Sequence, residues 1–392
     1  MKLTLSEMRK NFWEGPYKDW NYYIEEINQQ EDLNEEIRKK VLKGLKQIRR
    51  AFGRSWIESA FEPPVRHHLS GYLMNMAPWS RLWVADLGLK IKYFEKYSNF
   101  KNLLGRLKNP YEFNSAKTEL DIAYIIKKRR KLNLEFIEDK TKRSADLKVM
   151  IGDEQTYIEI TSLTTAEESL KATKNFNELS YPFMFDKDVV VRFRLHKILS
   201  DPAVKELKRK IKKTVEQVRK IKKCKEISEE NVINCFVYPK ENTEGLEEWN
   251  KRNGEFGGFV GPPTNVDEIG RLRNKIKQKV KKGQLPKNEP GLLVIDVRNL
   301  LFFLDKVEDY WDLANKIDQT IFEHPNLSAG VVIGPFHSIV GIEYPSKQKI
   351  YKKGEYVLIP REEFEWRNAV LIVRNRYSKF KEPINSLIKL FK

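Results

Sequence analysis

The chain has 392 residues, of which 40% are hydrophobic and 11% aromatic, so the composition excludes an intrinsically disordered protein. Lys and Arg number 73 against 55 Asp and Glu, giving a formal net charge of +18 that favours a polyanionic partner such as nucleic acid. The two cysteines, Cys224 and Cys235, exclude a disulfide-rich scaffold, and no apolar run reaches the roughly 20 residues of a transmembrane helix.

These features predict a soluble, cytoplasmic protein of two or three domains that does not bind membranes. The N-terminus has no apolar segment of the kind found in secretory signal peptides. One third of the residues are charged, so a heat-adapted surface rich in Lys and Glu is an alternative explanation of the positive charge.

Residues 1–110 are predicted to form a mostly helical N-terminal region. In EEIRKKVLKGLKQIRR (residues 35–50) the apolar residues recur at helical spacing, with Ile37, Val41 and Leu45 on one face. A second helix is predicted from Trp79 to Tyr97.

After residue 110 the pattern changes to that of an α/β domain, predicted for residues 111–305. A helix with Asn114 or Ser115 as its N-cap precedes three strand-like runs, LNLEFIE, ADLKVMI and TYIEITSL. Two basic helices (203–223 and 267–283) then alternate with the strand-like runs VINCFVYP and GLLVIDV. This order predicts a mixed central sheet flanked by helices, and residues 306–392 form a C-terminal α/β extension that either completes this sheet or stands apart.

Three acidic residues lie on these elements in an order that suggests a common site. Glu119 lies on the helix, Asp146 on the second strand-like run and Glu159 on the third. Alternate residues of a strand share a face, so Lys148 is expected on the face of Asp146, and Thr161 on that of Glu159. A hairpin turn at Gly152-Asp153 would bring the two strands together. Converging carboxylates form a hard-oxygen site suited to Mg²⁺ or Mn²⁺.

This order resembles the PD-(D/E)xK, or restriction-endonuclease-like, nucleases, through the segments TELDIA and SADLKVMIGDEQTYIEITS, within residues 110–300. The resemblance implies that Asp146 and Glu159 bind the metal, that the backbone carbonyl of Ile160 joins them, and that Glu119 supports the ion or its bound water. The chain departs from the family pattern at Thr161, which stands where the family has its catalytic Lys. We expect Lys148 to take over that role, with Lys142 and Lys171 as further candidates.

A basic run at the end of the Glu119 helix is the predicted nucleic-acid contact. It comprises Lys127, Lys128, Arg129 and Arg130, and Lys142 is expected to contribute as well. A solvated helix end stabilised by the helix dipole is the alternative explanation of the run.

The predicted function is metal-dependent hydrolysis of phosphodiester bonds in nucleic acid, with DNA favoured over RNA. Two alternatives stay open. The chain is a nuclease fold that binds nucleic acid without cutting it, or it is a subunit of a larger defence or repair complex. The acidic residues are also compatible with ordinary solvated positions or with pairing to nearby lysines, and the sequence leaves open a homodimer or a partner protein.

Overall fold

A computed structural model describes residues 16–61, 66–137, 145–151, 154–163, 166–184, 186–254, 258–264, 266–298, 310–334, 350–361, 368–380 and 390–391. The predicted turn at Gly152-Asp153 lies outside these ranges. Within them, no helix combines the length and the apolar character needed to cross a lipid bilayer.

The described residues form a mixed α/β fold. The helices are α1 (Trp20–Gln29), α2 (Glu35–Phe52), α3 (Trp56–Ser59), α4 (His68–Met74), α5 (Pro78–Phe94), α6 (Phe100–Lys108), α7 (Phe113–Tyr124), α8 (Glu167–Ser180), α9 (Asp201–Ile221), α10 (Leu246–Asn253), α11 (Glu268–Lys281) and α12 (Tyr310–Phe322). The strands are β1 (Leu134–Phe136), β2 (Leu147–Ile151), β3 (Glu154–Ser162), β4 (Val189–Leu195), β5 (Lys225–Glu229), β6 (Ile233–Pro239), β7 (Phe259–Val260), β8 (Gly291–Asp296), β9 (Leu327–Gly334), β10 (Tyr351–Lys353), β11 (Tyr356–Arg361) and β12 (Asn368–Arg374).

The chain divides into two compact units. The sheet unit comprises Met1–Thr164 and Glu268–Lys392, and the inserted unit comprises Thr165–Asp267. This division differs from the predicted boundaries at 110 and 305, because the N-terminal helices pack against the eight-stranded sheet, whereas residues 165–267 form a compact unit with a sheet and core of their own. The C-terminal strands β9 to β12 complete the sheet of the sheet unit.

The sheet unit is built on eight strands in the order β1-β2-β3-β8-β9-β12-β11-β10. The first three strands are antiparallel neighbours, whereas β8 runs parallel to both β3 and β9. The strands from β9 to β10 continue as antiparallel neighbours. The connection from β3 to the parallel β8 includes the inserted unit and α11.

Helices cover both faces of this sheet. Successive residues of its central strands are apolar and point to opposite faces, so both faces must be buried. Ile158 and Val294 point to one face, where they join the core formed with the N-terminal helices. Leu293 and Ile295 point to the opposite face, where they pack with α11 and α12. The sheet unit therefore has three layers: helices, sheet, helices.

The inserted unit has its own four-stranded sheet in the order β5-β6-β4-β7. Its core contains the buried face of α9 and the inward residues of β4 and β6, among them Ile211, Phe193 and Cys235. The run VINCFVYP, predicted to belong to the central sheet, forms β6 of this second sheet instead.

Helix α2 shows how local sequence fixes these elements. Its N-cap residue Asn34 accepts a hydrogen bond from the amide of Ile37 (2.9 Å), which satisfies a free amide of the first turn. Two glutamates in the first turn and two arginines in the last complement the helix dipole. The amphipathic helix predicted for residues 35–50 is confirmed and extends to Phe52.

Helices α2 and α5 cross at a pair of glycines. A Cβ atom added to Gly88 would lie 2.0 Å from the carbonyl oxygen of Gly44, and one added to Gly44 would lie 2.4 Å from the Cα of Ala85. Because real Cβ atoms do not approach other heavy atoms so closely, only glycine permits this backbone contact.

Buried ionic contacts fix helix α7 in the sheet unit. Asp121 of α7 pairs with Lys90 of α5 at 2.7 Å and with Lys117 at 2.9 Å. The hydroxyl of Thr118 donates to Asp296 at the end of β8. Since Asp121 and Asp296 are at most 4% exposed, these contacts form away from solvent. They hold the helix that carries Glu119 against α5 and β8.

Candidate metal centre

The predicted carboxylates, Glu119, Asp146 and Glu159, are named here the carboxylate cluster. Glu119 projects from α7 and is 2% exposed, and Glu159 projects from β3 and is 1% exposed. Asp146 immediately precedes β2 and retains partial exposure. Glu119 therefore reaches the cluster from a helix, Glu159 from a strand, and Asp146 from the residue before the adjacent strand.

The pairing of β2 with β3 positions Asp146 beside Glu159. The backbone amide of Asp146 donates to the carbonyl of Ile158 (3.0 Å), and its Oδ2 accepts a hydrogen bond from the amide of Ile160 (2.7 Å). The carboxylate of Asp146 thus binds the backbone of β3 at the residue that follows Glu159. The amide of Ile160 makes this contact, while its side chain is buried in the core.

Arg106, from α6, links two members of the cluster. Its Nη2 donates to Oε2 of Glu119, and its Nη1 lies 3.7 Å from Oδ1 of Asp146. A guanidinium offers several donors in a fixed plane, so one arginine can serve two carboxylates.

Lys279, from α11, provides a second cation. Its Nζ lies 2.6 Å from Oε1 of Glu159. The other carboxylate oxygen of Glu159, Oε2, is buried and has no hydrogen-bond partner among the described residues. A buried oxygen of a carboxyl group without a partner is costly, and a ligand or ion bound at the cluster would relieve that cost.

Burial and mutual repulsion raise the pKa values of the cluster. Burial, followed by repulsion from Asp146, raises the pKa of Glu119 well above its ordinary value. The same two causes raise the pKa of Glu159 to about 8, against the opposing effect of Lys279. Burial also raises the pKa of Asp146, although Arg106 opposes it. A bound divalent cation would reverse this electrostatic balance by favouring the charged carboxylates.

Carboxylate oxygens are the ligand atoms that Mg²⁺ and Mn²⁺ prefer. Among the described residues, no group of three or more His, Cys, Asp or Glu is arranged to hold a metal ion as it stands. Mg²⁺ is usually held by only one or two carboxylates together with several waters. Asp146 and Glu159 supply two such groups, and the unpartnered Oε2 of Glu159 is a suitable ligand atom. The oxygen of Glu119 that contacts Arg106 is already engaged.

The other predicted site residues are distributed as follows. Thr161 is buried on β3, two residues after Glu159 and on the same face of the strand. Lys148, predicted to replace the family's Lys, forms an ion pair with Glu135 on β1. Lys142 lies outside the described residues.

The predicted basic run follows α7 in a π-helical turn, Ile125–Arg129. The ammonium of Lys128 lies 5.4 Å from the ring centroid of Tyr93, a cation–π distance, while the residue itself is exposed. Lys127 and Arg130 are partly exposed, and the side chain of Arg129 lies outside the described set.

Sequence reasoning did not identify Arg106 or Lys279 as site residues. Arg106 stands in an N-terminal helix outside the matched segments, and Lys279 stands in a helix where every second residue from Arg271 to Lys281 is basic. This pattern of basic residues does not predict which of them contacts Glu159.

Comparison of the chain with models of protein families, with curated proteins and with solved structures gave no match.

Proposed function

We propose that this protein is a metal-dependent nuclease that hydrolyses phosphodiester bonds in DNA, with RNA as the second substrate class. The observation that carries the proposal is the arrangement at Glu159. Its Oε1 contacts the ammonium of Lys279 at 2.6 Å, its Oε2 is buried without a described partner, and Asp146 is bound to the next residue of the strand. The cluster thus combines acidic side chains that can bind a metal ion with an ammonium group that can bind a phosphate.

The topology around the cluster supports a restriction-endonuclease-like core as part of this proposal. A helix bearing an acidic residue precedes three antiparallel strands, and a crossover then leads to a strand parallel to the third. Asp146 immediately before the second strand and Glu159 on the third follow the order expected from the PD-(D/E)xK resemblance. Asp146 and Glu159 come together through the β2–β3 pairing.

Each residue has a defined role in the proposed reaction. Asp146 and Glu159 would hold Mg²⁺ or Mn²⁺, which supplies a bound water of lowered pKa and stabilises the charge of the leaving oxygen. Arg106 keeps Glu119 beside Asp146. Lys279 would supply the positive charge that the family's Lys provides, although it arises from α11 rather than from residue 161 of β3. Such a charge stabilises a phosphate whose negative charge increases in the transition state.

A fold that binds nucleic acid without cutting it is the second candidate. It is favoured by Thr161 at the family's Lys position and by the ion pairs that occupy Glu119 and Glu159. In that function Arg106 and Lys279 neutralise the carboxylates permanently. Recruitment as one subunit of a defence or repair complex is compatible with either function.

Cleavage assays with single-stranded DNA, duplex DNA and RNA, in Mg²⁺, Mn²⁺ or EDTA, test the proposal. Asp146→Asn and Glu159→Gln should each lower the metal-dependent rate at least about a hundredfold, because each removes an anionic ligand while keeping the side-chain shape. Glu135→Gln, which removes an exposed acid on β1, is the matched control and should retain the wild-type rate.

Metal-free thermal unfolding supplies a check that is independent of cleavage. Asp146→Asn should unfold at the wild-type temperature or above, since it removes like-charge repulsion while keeping an acceptor for the amide of Ile160. Full activity in either ligand variant would remove that residue from the mechanism. Failure of the wild type to cut with any metal would favour the binding-only function.

A further inference from the structure

Helix α11 carries a row of basic residues on the face that meets the carboxylate cluster. Arg271, Lys275 and Lys279 are spaced at i, i+4 and i+8, and Lys282 follows one turn after Lys279. Residues at this spacing lie above one another on a helix. The contact between Lys279 and Glu159 fixes the direction of this face, so Lys275 lies one turn before the cluster.

Lys275 differs from its neighbours in having no acidic partner among the described residues. Arg271 pairs with Glu268 and Lys279 pairs with Glu159. Lys275 is only partly exposed, and its ammonium makes no described ion pair or hydrogen bond. Burial and the positive charges of Lys279, Lys282 and Arg271 lower its pKa, and the attraction of Glu159 offsets them only in part.

This arrangement lowers the stability of the ligand-free protein. A partly buried ammonium among other cations loses hydration and gains repulsion, and a bound anion would reverse both effects. Ionisable groups held in unfavourable surroundings concentrate at functional sites.

We propose that Lys275 and Lys282 bind a backbone phosphate of nucleic acid next to the phosphate held at the carboxylate cluster. This inference rests on the proposed function, since it gives the cluster a substrate that continues along α11. A lysine ammonium has three donors on a flexible stem and binds phosphate as a point charge, without the fixed geometry that an arginine imposes. The surplus of 18 positive charges in the chain favours a polyanion over a small acid.

Fluorescence anisotropy of a labelled 20-nucleotide DNA, single-stranded and duplex, tests the site in EDTA, where cleavage cannot contribute. Lys275→Gln should weaken binding about tenfold at low salt. It should also reduce the slope of log affinity against log salt by about one, the value for one lost phosphate contact. Lys275→Arg should retain most of the affinity because it keeps the charge. Lys281→Gln is the matched control, because it removes the same charge from an exposed position about 120° away on the helix.

Thermal unfolding of the DNA-free proteins provides a second readout. Lys275→Gln should raise the melting temperature, whereas Lys281→Gln should leave it unchanged, because only Lys275 is both partly buried and crowded by cations. Equal loss of DNA affinity in both variants would overturn the proposal, as would unchanged affinity in Lys275→Gln. Competition by polyglutamate as effective as competition by unlabelled DNA would overturn the assignment to nucleic acid.

The outcomes separate this site from the proposed activity. Loss of affinity in Lys275→Gln together with an inactive wild type would support the phosphate site and reject the nuclease. Cleavage by the wild type with unchanged binding in Lys275→Gln would support the nuclease and reject the phosphate site.

Discussion

Lys279 and Lys148 each pair with a glutamate, and only the partner of Lys279 belongs to the carboxylate cluster. Lys279 contacts Glu159, which is 1% exposed. Lys148 contacts Glu135, which is exposed on the edge strand β1. Water screens the charge of Lys279, beside a buried carboxylate, less than it screens the charge of Lys148 near the surface. Lys279 therefore has the larger electrostatic effect on a bound phosphate. We therefore expect substitution of the two lysines to change the cleavage rate by different amounts.

Lys279→Met should lower the single-turnover cleavage rate about a hundredfold or more, the range for losing a positioned electrostatic or proton-transfer group. Lys148→Met is the matched control and should change the rate less than about threefold, because it removes an exposed ion pair. Rates measured at saturating protein, with one DNA substrate and one metal, compare the two variants directly. If Lys148→Met lowers the cleavage rate more than Lys279→Met does, Lys148 is the catalytic lysine, as the strand pattern predicts.

His67 is a buried histidine whose hydrogen bonds fix its tautomer. Its Nδ1 accepts from the amide of Leu69 (3.1 Å), so the proton lies on Nε2, which donates to the carbonyl of Leu107 (3.0 Å). Burial lowers the pKa of His67 to about 4. Between about pH 4 and its ordinary pKa near 6.5, the unfolded chain binds a proton at this residue that the folded protein does not bind.

The free energy of unfolding should therefore fall as the pH is lowered from about 6.5 to about 4, by up to about 1.4 kcal/mol per pH unit from this residue. Above about pH 6.5 His67 should contribute no pH dependence. Urea unfolding at several pH values should show a shallower dependence in His67→Asn, which keeps an acceptor for the amide of Leu69 but has no titrating group. The same slope in both proteins would mean that His67 is protonated in the folded state. His68→Asn measures the separate contribution of the neighbouring imidazole, whose pKa burial also lowers.

At the carboxylate cluster, strand alternation and spacing were sufficient to select the acidic residues but not the basic ones. Asp146 and Glu159 lie 13 positions apart on strands that pair directly, so a hairpin relates them. Lys279 is 120 residues from Glu159, with the inserted unit between them. No local pattern encodes such a contact, because it depends on how α11 packs against the sheet. Arg106 is only 13 residues from Glu119, but their contact likewise depends on how two helices pack, here α6 and α7.

At the scale of elements, the crossing of α2 and α5 depends on the smallest side chain. Gly88→Ala should destabilise the protein by about 1–3 kcal/mol, since the added methyl would meet the backbone of Gly44 and force the helices apart. Gly105→Ala is the matched control. Gly105 is exposed on α6 with nothing within 4 Å of an added Cβ, so alanine should stabilise that helix by about 0.5–1 kcal/mol.

Urea unfolding of the two glycine variants measures both effects on one scale. Opposite signs are expected, although the chemical change is identical. A Gly88→Ala protein as stable as the wild type would show that α2 and α5 can separate without loss of packing.

Apolar periodicity predicted individual elements better than their assembly. The helices 35–50 and 79–97 correspond to α2 and α5, and the three strand-like runs correspond to β1, β2 and β3. The helix carrying Glu119 begins at Phe113 with Glu112 as its N-cap, rather than with the predicted cap Asn114 or Ser115. An apolar run such as VINCFVYP indicates a buried strand, but it does not identify the sheet in which the strand pairs. That choice is set by contacts between distant residues.

At the scale of the whole molecule, two described helices, α9 and α11, carry dense rows of basic residues. The solvent face of α9 carries Lys205, Arg209, Lys212 and Lys213, all exposed, while the opposite face is buried. The corresponding row on α11 approaches the carboxylate cluster and is partly buried. The surplus of 18 positive charges therefore includes both solvated residues and residues at positions where a bound anion would stabilise them. For this reason the salt dependence of DNA binding by individual variants is more informative about the binding face than the net charge is.

The position of the inserted unit also affects the nascent chain during synthesis. β8 begins about 130 residues after β3 ends, so a ribosome adding roughly 5–20 residues per second needs on the order of 6–26 s to supply the parallel partner of β3. During that interval one edge of β3 has unpaired backbone groups, and an open edge can pair with other chains. Because the inserted unit has its own core, it can fold before β8 is synthesised. Only the segments on either side of it then remain unfolded at that stage.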